Sequence, residues 1–211
     1  MAGTEMPHDG EGFAPRPYTL RTRRGAVECL LYEAPGAKAA ALLAGGVGGG
    51  FDTPARGLYP QLGEALLHQG LFTLRLKYRH PADLTESVRD VLAGVDFLVE
   101  HGLERVALVG HSFGGAVMID AGAQSPWVST VVGLAPQSYG TEAVSELPPR
   151  SLLLVHGLAD TVLPPSCSRS IHERARGKKA LELLPGAGHM LDEAAERVFP
   201  LVRDWLLREL R

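Results

Sequence analysis

Residues 40–44, 106–109 and 152–155 are apolar at every position. A strand with one wet face alternates apolar and polar side chains, so uninterrupted runs of this length point to strands covered on both faces. That is the signature of a largely parallel sheet between two layers of helices. Other strand-length runs lie at 18–23, 26–32, 71–78, 128–134 and 181–184, and the apolar three extend to 39–44, 105–109 and 151–155. The run at 18–23 is polar and alternating, which suits a sheet edge. Between the strands, apolar residues recur every three or four positions, as in a helix packed on one side. Residues 85–99 show it best, with Val88, Val91, Leu92, Val95 and Leu98. Further helices are expected over 54–68, 165–176 and 194–210, with Pro200 kinking the last or restarting it. Alternation of this kind predicts an α/β class fold.

Composition narrows the function classes. Of the 211 residues 45% are hydrophobic and 21% charged, the mix of a globular chain, and the net charge is −3. Without a basic stripe, nucleic acid is not an expected partner. Cys29 and Cys167 are too few and too far apart for a disulfide framework or a CxxC metal site. Residues 1–17, polar and rich in Gly and Pro, read as a flexible arm without the apolar core of a signal peptide. Residues 18–211 read as one domain. No apolar run approaches the roughly 20 residues of a membrane span, so the expected location is the cytoplasm, with no membrane partner.

The chemistry concentrates at Gly110-His111-Ser112-Phe113-Gly114-Gly115, between a buried strand and an apolar helix start. A serine on a tight strand-to-helix turn needs neighbours without a β-carbon, and Gly110 and Gly114 supply them. The helix start also offers amide donors to a developing oxyanion. A serine hydroxyl becomes a useful nucleophile when a histidine takes its proton and a carboxylate fixes that histidine's tautomer. Asp160 follows the strand and turn of 153–159, and His189 follows those of 181–188. In a parallel sheet these ends share one edge, where α/β ligand sites form. A turn aspartate and a loop histidine are the plainer alternatives, and Glu142 is a second candidate acid.

The glycine-rich stretch 45–50 fails both nucleotide patterns, because Phe51 stands where a P-loop needs Lys and a dinucleotide fingerprint needs Gly. It fits better as a loop that turns an amide toward a reacting carbonyl. His111 and His156 read as packing or hydrogen-bonded residues. Lys77, Tyr78, Arg79 and His80 end a strand on the active edge, where Arg79 or His80 could meet a substrate carboxylate, although ion pairs and solvated turns are the simpler reading. No histidine has metal-ligand spacing, so no metal is expected.

On these motifs the chain resembles the α/β-hydrolase superfamily over residues 18–211, nearer its small serine esterases and dienelactone-hydrolase-like members than its large lipases. The resemblance implies an eight-stranded, mostly parallel sheet with helices on both faces, and no cofactor. It also implies an oxyanion hole from the amides of Phe113 and Val47. Two departures from the family stand out. Gly45-Gly46 replaces the usual His-Gly before Val47, leaving the register of that donor open by one residue. Ser112 stands where a dienelactone hydrolase proper has Cys and a haloalkane dehalogenase has a carboxylate.

The expected activity is hydrolysis of a small carboxylic ester or thioester through an acyl-enzyme on Ser112. A non-catalytic binding protein of this fold, or a lyase of hydroxynitrile-lyase type with the same triad, are the alternatives. Only residues 135–150 are available where lipases carry a lid, and Pro136, Gly140, Pro148 and Pro149 interrupt them. Little or no lid is expected, at most a short helix over 141–147. The site should be shallow and bordered by Phe51, Tyr139, Leu163 and Met190.

Overall fold

The structure, a computed structural model, describes residues 14–211. Eight strands form one sheet: β1 (Arg16–Thr22), β2 (Gly25–Tyr32), β3 (Ala39–Ala44), β4 (Phe72–Lys77), β5 (Arg105–His111), β6 (Val128–Leu134), β7 (Ser151–Gly157) and β8 (Lys179–Leu184). Their spatial order is β1-β2-β4-β3-β5-β6-β7-β8. Strand β2 runs antiparallel to both β1 and β4, and every pair from β4 through to β8 is parallel.

The continuous apolar runs explain the layering. On β3, Ala40, Leu42 and Ala44 enter one core while Ala39, Ala41 and Leu43 enter the other; β5 and β7 divide in the same way. Helices α2 (Leu84–Glu100), α3 (Phe113–Gln124) and α4 (Ser166–Arg174) cover the first face, and α1 (Leu58–Leu67) and α5 (Ala195–Glu209) the second. Edge strand β1 is mostly exposed, as its alternating polar sequence requires. No described helix is long and apolar enough to cross a membrane.

Several boundaries differ from expectation. Of the arm expected over 1–17, residues 1–13 lie outside the described residues, and Arg16 and Pro17 pair with Leu31 and Leu30 in the sheet. Helix α1 begins at Leu58, four residues late, because Ala55, Arg56 and Gly57 all have positive φ (49°, 52° and 93°) and form a left-handed turn. Pro200 neither ends nor restarts α5, which runs through it. The segment after β6 holds one 3₁₀ turn, Glu142–Glu146, and no larger insertion.

Candidate active site

Ser112 sits between β5 and α3 with φ 56° and ψ −119°, a region that side-chain-bearing residues rarely occupy. The neighbourhood enforces it. A β-carbon on Gly110 would collide with the Gly114 carbonyl, and one on Gly114 would collide with the carbonyl of Gly45. The Ser112 amide donates to Leu134 O at 2.8 Å, and its carbonyl accepts from Gly115 N (3.0 Å) and Gln137 N (3.3 Å). The strained turn is thereby tied to the end of β6.

The parallel register brings three sequence-distant residues together at the carboxyl edge. The Ser112 hydroxyl donates to His189 Nε2 at 3.0 Å, and His189 Nδ1–H donates to Asp160 Oδ2 at 2.7 Å. The other oxygen of Asp160 accepts the amides of Val162 (2.8 Å) and Leu163 (2.9 Å). Burial opposes ionisation of Asp160, yet the bonds from His189 and these amides hold its carboxyl below the usual carboxylate range. Glu142 lies exposed on the 3₁₀ turn.

A second imidazole stands behind the carboxylate. His156, fully buried at the end of β7, places Nε2 3.0 Å from Leu163 O and 3.2 Å from Asp160 Oδ2. Both neighbours accept, which assigns the proton to Nε2 and leaves Nδ1 to accept from the Ser168 hydroxyl at 2.7 Å. Burial lowers the pKa of this ring and keeps it neutral. His156 therefore closes the turn that carries Asp160.

The turn bearing His189 is fastened in turn. His111 Nε2–H donates to the His189 carbonyl at 3.0 Å, and the two rings lie 4.8 Å apart. Burial pushes the His111 imidazole down to about 4. Amides of Leu158 and Ala159 donate to Leu184 O and Ala187 O, both at 2.9 Å, joining the turns after β7 and β8.

A cavity of about 260 Å³ opens over Ser112, lined by Gly46, Val47, Gly48, Asp52, Thr53, His111, His189 and Met190. Of the expected border, Met190 lines it. Phe51, Tyr139 and Leu163 do not: the Phe51 ring stacks near Arg75, Tyr139 is 75% exposed, and the Leu163 carbonyl is engaged by His156. Val47 lines the cavity from the glycine loop, and Phe113 is the first residue of α3, where the amide has no carbonyl one turn back to bond. Among the strand-end residues, Arg79 is committed to the buried Asp90 (Nε–Oδ1 2.6 Å) and Lys77 to Glu28 (3.0 Å), while Tyr78 packs edge-on against Phe113. His80 is exposed and outside the cavity. His111, Asp52 and Thr53 were not read from the sequence as cavity residues. Their signals were adjacency to Ser112 and a polar pair directly after the glycine loop.

Strand order, helix layers and a strained serine at the carboxyl edge define the α/β-hydrolase fold. Solved structures agree. A dienelactone hydrolase from Anabaena variabilis superposes with a TM-score of 0.81 at 21% identity, over 94% of this chain and 100% of that one. The esterase domain of a Rhodothermus marinus protein gives 0.77 at 19% identity, covering 93% and 99%. An alpha-beta serine hydrolase homologue from Coxiella burnetii gives 0.74 at 17%, covering 96% and 100%. No protein-family model and no curated protein sequence matches the chain.

Proposed function

We propose that the protein is a serine hydrolase that cleaves small carboxylic esters or thioesters. The relay Ser112–His189–Asp160, with links of 3.0 and 2.7 Å on a strained turn, carries this reading. Ser112 Oγ attacks the substrate carbonyl as His189 Nε2 takes its proton, and Asp160 holds the imidazole in the tautomer that can accept it. The amides of Phe113 and Val47 receive the developing oxyanion. His189 then protonates the leaving alcohol or thiol, and water, deprotonated by the same ring, releases the acyl group from Ser112. Hydrolase and esterase names among the fold neighbours support a hydrolytic function. A cavity of about 260 Å³ with only a 3₁₀ turn where a lid could stand supports small acyl groups.

A fluorophosphonate probe tests the reading. It should label wild-type protein at Ser112, and Ser112→Ala should lose both labelling and ester hydrolysis while melting as a folded protein. Labelling retained by Ser112→Ala would remove Ser112 as nucleophile.

A further inference from the structure

Among the described residues, one carboxylate in the cavity wall has no partner. Asp52 follows the glycine loop and lines the cavity beside Gly48 and Thr53. Its Oδ2 lies 3.1 Å from the point where Gly48 would carry a β-carbon, so the side chain leans against the loop. Among the described residues no hydrogen bond or ion pair engages that carboxylate. Arg75, buried on β4, spends Nη2 on the Phe51 carbonyl at 2.6 Å and lies 5.7 Å from the Phe51 ring centroid, rather than pairing with Asp52.

The glycine-loop amides aside, the wall offers little to hold an anion. Among the described residues no lysine or arginine lines the cavity. His111 commits its one N–H to the His189 carbonyl and can only accept through Nδ1. An anionic substituent beside Asp52 would meet a like charge, whereas a cation would meet an uncompensated carboxylate.

We infer that this site selects esters bearing a cationic group and disfavours carboxylate-bearing ones, with Asp52 as the specificity-determining residue. The inference rests on the hydrolase reading above and names its substrate class. Because Asp52 is exposed, solvent and salt screen the attraction, and the expected preference is about twofold to fivefold at low salt. The chain's net charge of −3 also draws cations, but Asp52→Asn removes only one of its 24 acidic residues and leaves that net charge negative.

Isosteric esters separate charge from shape. The 2-(trimethylammonio)ethyl and 3,3-dimethylbutyl esters of butyric acid differ by a charged nitrogen in place of carbon. A second pair carries the same difference on the acyl side, and a hemisuccinate ester supplies the anion. In wild-type protein, kcat/KM should favour the cationic member of at least one pair at low salt, shrink toward parity at high salt, and be lowest for the hemisuccinate. In Asp52→Asn, shown to be folded by its melting curve, the cationic-to-neutral ratio should fall toward one. Neutral esters cleaved without a charge preference, or a preference that survives Asp52→Asn, would overturn this inference alone. If no ester is cleaved and Ser112 takes no fluorophosphonate, the hydrolase reading fails and the inference falls with it.

Discussion

Replacing Asp160 with Asn should damage turnover more than the loss of one charge suggests, because the surroundings dictate how the amide must sit. Oδ1 of Asp160 accepts two backbone amides, from Val162 and Leu163, so the carbonyl oxygen of an Asn has to occupy that place. Its NH₂ then points at His189 Nδ1 and at His156 Nε2, whose proton is fixed by the Leu163 carbonyl. Two donors would face a third. His189 can answer only by moving its proton to Nε2, which then faces the Ser112 hydroxyl and can no longer accept from it. A triad histidine held in the wrong tautomer costs about 10⁴-fold in kcat, or roughly 5.5 kcal/mol of transition-state stabilisation. Asp160→Ala removes the carboxylate without supplying a competing donor and should be no worse than Asn. Stopped-time hydrolysis of an activated butyrate ester, alongside fluorophosphonate labelling rates, measures both variants, with Glu142→Gln as a control expected to change little. Asp160→Asn keeping more than about a tenth of wild-type kcat would refute the tautomer argument, as would Glu142→Gln being the more damaging change.

Further outcomes follow from the same geometry. His156→Leu should lower kcat by about tenfold or more with KM little changed, because it frees the turn that aims Asp160, while His156→Gln, which can still donate to Leu163 O, should recover part of the loss. Equal effects of the two, or a change confined to KM, would remove His156 from that role. Stability should fall on acidification between about 6.5 and 4: His111 titrates near 6.5 when unfolded and at about 4 when folded, so the unfolded chain takes up the proton first. Stability from this group is complete above the upper value and lost toward the lower, on the order of 3 kcal/mol at most. Urea midpoints against pH should show the slope, and His111→Gln should flatten it; a midpoint independent of pH over this window would contradict the assignment. In a graded ester series, kcat/KM should level or fall beyond roughly six to eight acyl carbons, because the lidless cavity buries few methylenes at about 0.8 kcal/mol each. A rate jump with micelles would speak for a covering element that residues 135–150 are too short to build.

The parts of the fold legible in the sequence are those governed by periodicity. Uninterrupted apolar runs required burial on both faces, and β3, β5 and β7 do divide their side chains between the two cores. Where a single residue's neighbours decided the outcome, the pattern was silent. Helix α1 starts late because Ala55 and Arg56 adopt left-handed backbone, which only Gly57 announces in the sequence. Helix α5 survives Pro200 because Val198, Val202 and Leu206 are fully buried against the sheet, and that burial outweighs the lost hydrogen bond and ring clash of an interior proline, together about 3 kcal/mol. The meeting of Ser112, Asp160 and His189 was legible because a parallel sheet puts strand ends on one edge whatever lies between them. The border residues were not, since nothing in a loop sequence says which way Phe51, Tyr139 or Leu163 turns its side chain.

That contrast has a physical root in how the site is assembled. The loops carrying Val47, Ser112, Asp160 and His189 meet in part backbone against backbone, beside the side-chain ties from His111 and His156. Gly114 lies directly on the Gly45 carbonyl, joining the nucleophile turn to the glycine loop, and Gly157 lies on the Ala187 carbonyl, joining the turn of Asp160 to that of His189. Rotamers cannot adjust such contacts, so the spacing of the reacting groups follows the register of β3, β5, β7 and β8. For the proposed hydrolysis, a site fixed in this way would need little reorganisation as charge develops on the carbonyl oxygen, the condition under which oriented amides stabilise a transition state most. The cavity wall obeys a different rule. Asp52 and Met190 are exposed side chains on loops above the interlocked backbone, and neither of the bonds linking Ser112, His189 and Asp160 runs through them. On the proposed reading, reaction chemistry and substrate choice belong to separate layers of the same edge, the first set by strand register and the second by side chains that the register does not constrain.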